Sequence, residues 1–196
     1  MKNQISKLFA IALLLALAPL SIFTANADND HAPPVNKYKV GDRGPGGGFI
    51  FFVDYYDQYR GFTYLEAAPT DIAAVPWCSN TTTSIPAVGG WAGNAVGKGQ
   101  ANTTAMLGIC TSGAANAADT YFTATKSDWF LPSEGELMLM YTNLRKAGVG
   151  GFAYYSYWSS TEIDSSSAWG LDFDEGFTNF FNNKDVLLPV RTVRAF

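Results

Sequence analysis

Asp172, Asp174 and Glu175 are the densest acidic cluster in the chain. Hard oxygen ligands grouped in this way suit Ca2+. Period-two alternation along residues 168–174 puts Asp172 and Asp174 on one strand face, with Glu175 at the turn that follows. Asn179, Asn182, Asn183 and Asp185 come within the next ten residues and extend the oxygen set. An ion held there can in turn hold sugar hydroxyls. The same residues also suit a solvated strand face and its turns. There is no Asp-x-Asp-x-Asp-Gly loop to favour the ion. Ca2+ is the candidate ion, and no other cofactor is expected.

Trp129, Trp158 and Trp169 are the rings that can stack on a sugar. Trp169 alternates with Leu171 and Phe173, which points it to the core. Trp158 stands among Tyr154, Tyr155, Tyr157 and the run Ser159-Ser160-Thr161-Glu162. Two readings stay open: a half-exposed aromatic with hydroxyl neighbours, or a buried anchor. The candidate ligand-binding set is Trp158, Ser160, Glu162, Asp172, Asp174, Asn179, Asn182 and Lys184. Arg191 and Arg194 either pair with acids on neighbouring strands or meet an anionic ligand. Residues 41–48 are rich in glycine but precede an apolar run. A phosphate loop follows a strand and opens a helix, so a tight turn is expected instead.

Catalysis finds little support. Two carboxylates can cleave a glycoside when their pKa values are pushed apart, and nothing in the sequence does that. A Ser-His-Asp site would need His31, the single histidine, which lies in a polar, proline-containing lead-in. No catalytic residue is assigned.

The 196 residues suit one domain. Lys2 and Lys7, the apolar stretch 8–20 and Ala25-Asn26-Ala27 read as a secretory signal cleaved after residue 27. Residues 28–39 are a flexible lead-in, and 40–196 the domain. No later run is apolar enough to span a bilayer, and no cysteine follows the apolar stretch to carry a lipid anchor. Cleavage removes two of 13 basic residues and none of 17 acids, so the mature charge is 11 − 17 = −6. That disfavours nucleic acid. Export permits a disulfide, and Cys78 and Cys110 allow one pairing.

The elements follow from period and punctuation. Ser133 and Glu136 form a capping box over Leu137, Met140, Tyr141 and Leu144, with Gly148 as the stop. Residues 49–53 read as a central strand and 62–68 as its return. Residues 73–99 read as long irregular structure, and Asn102 as the cap of a short helix. Residues 154–161, 168–174, 177–181 and 186–196 form an antiparallel meander. The class is α+β: an antiparallel sheet, one or two packed helices and long loops.

The stretches 46–54 and 65–69, Asp128-Trp129-Phe130-Leu131-Pro132-Ser133-x-x-Glu136-Leu137, Tyr157-Trp158-Ser159-Ser160-Thr161-Glu162, Ala168-Trp169 and 190–194 together resemble the bacterial DUF1566 family. That family includes the C-terminal domain of a collagen-like adhesin. The resemblance runs from about Val40 to Phe196. It implies an exported domain with a fold related to C-type lectins and formylglycine-generating enzymes, and, through the adhesin, attachment to glycosaminoglycans and trimer assembly. No collagen-like repeat precedes the domain, and Cys78 and Cys110 lack the spacing of the enzyme's reactive pair. The expected function is non-catalytic binding of a glycan, or of an envelope or host-surface protein, in the periplasm, at the outer surface or after secretion. An assembly subunit for another envelope protein is the alternative, and an enzyme acting on envelope sugars or proteins the third. An oligomer is compatible with each.

Overall fold

Ser133 starts the helix around which the chain folds. Its hydroxyl accepts the Glu136 N–H, and the Glu136 carboxylate takes the Ser133 N–H at 2.9 Å. The computed structural model describes residues 37–196 except Tyr154, with backbone alone for Trp91 and residues 178–181. The expected signal, His31 and most of the lead-in fall outside the described residues, as does the Asn179 side chain. The chain divides into residues 1–32 and 33–196, and the second unit is described here.

The strands are β1 (Phe49–Val53), β2 (Tyr64–Ala67), β3 (Ile72–Val75), β4 (Ser156–Glu162), β5 (Ser167–Asp172), β6 (Thr178–Asn183), β7 (Leu188–Val190) and β8 (Val193–Ala195). The helices are α1 (Gly90–Asn94), α2 (Gly99–Leu107), α3 (Ala114–Asp119) and α4 (Glu134–Met140). α4 runs on as a π-helical turn over Tyr141–Arg145 and stops at Gly148, where φ is +71°. The expected rod is therefore present, but its last turn is wider than an α-helix. There Asn143 reaches the Phe51 carbonyl, and Tyr141 meets Phe173 edge-on.

The class is α+β, with three small antiparallel sheets among the described residues, ordered β1-β2-β8, β3-β7 and β4-β5-β6. This corrects two expectations. β1 is an edge strand, and the centre is β2. Residues 186–196 do not close the meander: they split into β7 and β8, which pair with β3 and β2. β3 and α1 also lie within or beside the stretch expected to be irregular. Asn102 is not a cap; it sits inside α2, buried, donating to the Gly93 carbonyl and Ser160 Oγ.

β4 separates two apolar clusters. Successive side chains on a strand point to opposite faces. Tyr157 joins Phe51, Leu65, Leu137, Met140 and Phe173 on one side. Trp158 joins Trp77, Met106, Ala114 and Val190 on the other. Both rings are fully buried. The second cluster holds the Cys78–Cys110 disulfide, just before which α2 ends. No helix among the described residues is long and apolar enough to cross a membrane.

Candidate functional site

The acids and cations marked out for ligand binding meet one another instead. Glu162, at the end of β4, accepts the Ile85 N–H on both oxygens. Lys184 follows β6, is fully buried, and pairs with Glu162. Its ammonium also donates to the Thr83 and Ser165 carbonyls and lies 4.9 Å from the Trp77 ring centre. Removing either partner would strand a buried charge, so the pair is structural. Ser160 is buried, with its hydroxyl held by Asn102. Trp158 donates its indole N–H to the Val75 carbonyl and has no face left for a sugar. Trp129 is buried too, its indole N–H bonded to the Lys126 carbonyl. These four candidates, Trp158, Ser160, Glu162 and Lys184, are corrected: β4 is covered on both sides.

Asn182 stands apart from the acids of the proposed Ca2+ set. Ala168 opposes Asn182, whereas Asp172 lies four residues farther along β5. At about 3.3 Å per residue that is roughly 13 Å. Asp172 Oδ1 accepts the Asp174 N–H at 2.7 Å and closes the turn. Asp174 and Glu175 are exposed there. Among the described residues no three His, Cys, Asp or Glu side chains are grouped to hold a metal.

Both late arginines pair with acids. Arg194 takes Asp128 with two N–H groups and Glu66 with a third, and the first contact holds the Asp128 carboxyl below its usual range. Glu66 and Arg194 are directly opposed across β2 and β8. The Gly46 and Gly48 N–H groups also donate to Glu66. The glycine-rich loop is thus an anion cradle whose anion is the chain's own. Arg191 pairs with Asp71, which also accepts the Tyr157 hydroxyl. Burial drives the Tyr157 phenol far above its ordinary value, with Asp71 adding to the effect.

A polar cleft of about 230 Å3 lies between the β1–β2 loop and the start of α2. Arg60, Phe62, Gly97, Gln100 and Glu136 line it. Asp54 holds the loop by accepting the Tyr56 and Tyr59 N–H groups, and Tyr59 stacks on Phe62 with ring centres 5.3 Å apart. Arg60 and Gln100 are exposed. Arg60 has no ion-pair partner among the described residues. Glu136 lies beneath, fully buried, accepting from Gly97 at 2.8 Å and Gly99 at 3.4 Å. Burial raises its pKa to about 7, against the pull of the Ser133, Gly97 and Gly99 N–H groups. None of Arg60, Phe62 or Gln100 stands out in the sequence. The one available signal is Arg60 beside Gly61 in a loop rich in tyrosine.

The fold and its internally paired acids define a small disulfide-bonded α+β domain. No family model matches the chain, and no curated protein matches it. Among solved structures the fold is similar to that of a fimbrial protein from Bacteroides ovatus ATCC 8483, with a TM-score of 0.56 and 15% identity. The match covers 81% of this chain and 49% of that one, so this chain spans about half the length of that neighbour. At this identity the likeness is one of fold. The Cys78–Cys110 disulfide fits an exported protein.

Proposed function

We propose that the chain is an exported, non-catalytic binding domain of adhesin type that grips a glycan through the Arg60–Gln100 cleft. The observation that carries this reading is an exposed guanidinium, without an ion-pair partner among the described residues, beside an amide and an aromatic ring in an otherwise acidic protein. Amide and guanidinium suit sugar hydroxyls or a sugar carboxylate, and an aromatic ring suits the apolar C–H face of the sugar. At about 230 Å3 the cleft is smaller than the ~300–1,000 Å3 of drug-sized sites, which matches one terminal sugar rather than a long oligosaccharide. The fold likeness to a fimbrial protein and the DUF1566 resemblance support a surface role. Among the described residues Glu136 is the only acid lining the cleft, and glycoside cleavage needs two.

The test is a glycan array probed with the mature protein and with Arg60→Ala and Gln100→Ala. Both side chains are exposed, so melting temperatures should stay within a few degrees. Expected is binding of a restricted glycan set that both substitutions weaken. An array with no bound glycan, or binding indifferent to both substitutions, overturns the reading.

A further inference from the structure

A second cleft, apolar and about 480 Å3, opens on a surface of the opposite kind. Ala74 of β3, Leu188 and Pro189 of β7, and Tyr155, Ser156 and Leu187 line it. Among the described residues Tyr155 is 65% and Leu187 62% exposed, and large apolar groups left in water are costly. Pro189 has no N–H to offer a further strand, so an occupant would be held by its side chains. The surroundings are acidic. The Phe173 N–H donates to the Tyr155 carbonyl, which sets the turn carrying Asp172, Asp174 and Glu175 beside Tyr155. Asp185 precedes Val186 and Leu187, and both Asp185 and Val186 are exposed. The cations of residues 153–196 are Lys184, Arg191 and Arg194, and all three are buried in ion pairs. This face therefore presents apolar surface with negative charge around it and no exposed positive charge from that segment.

We propose that this cleft docks a partner protein through an apolar segment flanked by lysine or arginine. Apolar side chains fill the Tyr155–Leu187–Pro189 groove, and the flanking cations meet Asp174, Glu175 and Asp185. The acidic cluster then acts as a rim that steers a basic partner. The site is separate from the Arg60 cleft, so one domain holds a sugar on one surface and a protein on another.

The test uses the mature protein and two synthetic probes: an amphipathic Leu/Lys peptide and its Leu/Glu counterpart, titrated by calorimetry at low and high salt. Expected is binding of the Leu/Lys peptide alone, weakened by salt. Leu187→Ser and Tyr155→Ser each reduce it roughly tenfold. Asp174→Asn combined with Glu175→Gln and Asp185→Asn reduces it and flattens the salt dependence. Arg60→Ala leaves it unchanged. No binding, equal binding of the Leu/Glu peptide, or indifference to Leu187→Ser overturns the proposal. Self-association of the protein that Leu187→Ser abolishes also overturns it, by making a second copy the occupant.

Discussion

Glu66, Glu136 and Glu162 are fully or almost fully buried, and each has its oxygens on backbone N–H groups. They differ in what else faces them. Glu66 and Glu162 have a cation; Glu136 has none among the described residues, and burial raises it from 4.5 to about 7. An acid whose folded pKa lies above its unfolded one binds more protons when folded. Its favourable contribution is complete below 4.5 and is lost as the pH rises through about 7. At about 1.4 kcal/mol per pH unit, the interval corresponds to a cost on the order of 3 kcal/mol at pH 8. Urea midpoints should therefore rise from pH 8 to pH 5, and Glu136→Gln should flatten most of that slope. A small residue remains from Glu134, whose carboxyl burial also raises. A Glu136→Gln protein that kept the wild-type slope would refute this. Asp128 and Asp164, held low, act in the opposite sense and only in acid, below the ordinary 3.8. The capping role of Glu136 is legible in the sequence because Ser133 is three residues away. The Lys184–Glu162 pair is not, because it is set by where β4 ends and how the chain turns after β6.

The glycine-rich loop shows how an element can be read correctly and its purpose missed. A tight turn before β1 is expected from the sequence and is found. What tightens it is the Glu66 carboxylate, which occupies the space where a Cβ on Gly44 would stand. On Gly48 a Cβ would strike the Ala67 carbonyl oxygen of β2. Gly47 has φ of +85° and nothing within 4 Å of a Cβ. Two neighbouring substitutions should thus differ in kind. Gly47→Ala costs about 1 kcal/mol, the left-handed backbone penalty. Gly48→Ala costs roughly 3 kcal/mol, since strand pairing at Phe49↔Ala67 must open to admit the methyl group. Equal midpoints in urea for the two variants would contradict this account. Helix α4 is legible because caps and an apolar stripe are local signals. The partition into three sheets is not. β2 finds β8 across about 130 residues, and no period within either strand encodes that choice.

Two cores share one wall, and only one of them is stapled. β4 sends Tyr157 into the cluster under α4 and Trp158 into the cluster that holds Cys78–Cys110. The seven-residue run of buried and half-buried side chains in β4 explains why a surface aromatic could not be told from an anchor. Tyr-Trp-Ser-Ser reads as amphipathic until both faces are known to be covered. The bridge spans 32 residues, and closing such a loop contributes roughly 3–4 kcal/mol in the chain-entropy model. Its loss should not fall evenly. β1-β2-β8 and α4 pack in the other cluster, whereas β3, α2 and α3 depend on the stapled one. In the Cys78→Ala/Cys110→Ala protein, amide exchange should speed up most in α2 and α3. Exchange in α4 and β2 should change least, at a total stability lower by about 3–4 kcal/mol. The segment freed includes Gly97 and Gly99, which carry the Glu136 contacts, so the same variant should also lose definition in the Arg60 cleft. A uniform rise in exchange across both clusters would mean that β4 couples them into one cooperative unit, and the division drawn here would be wrong.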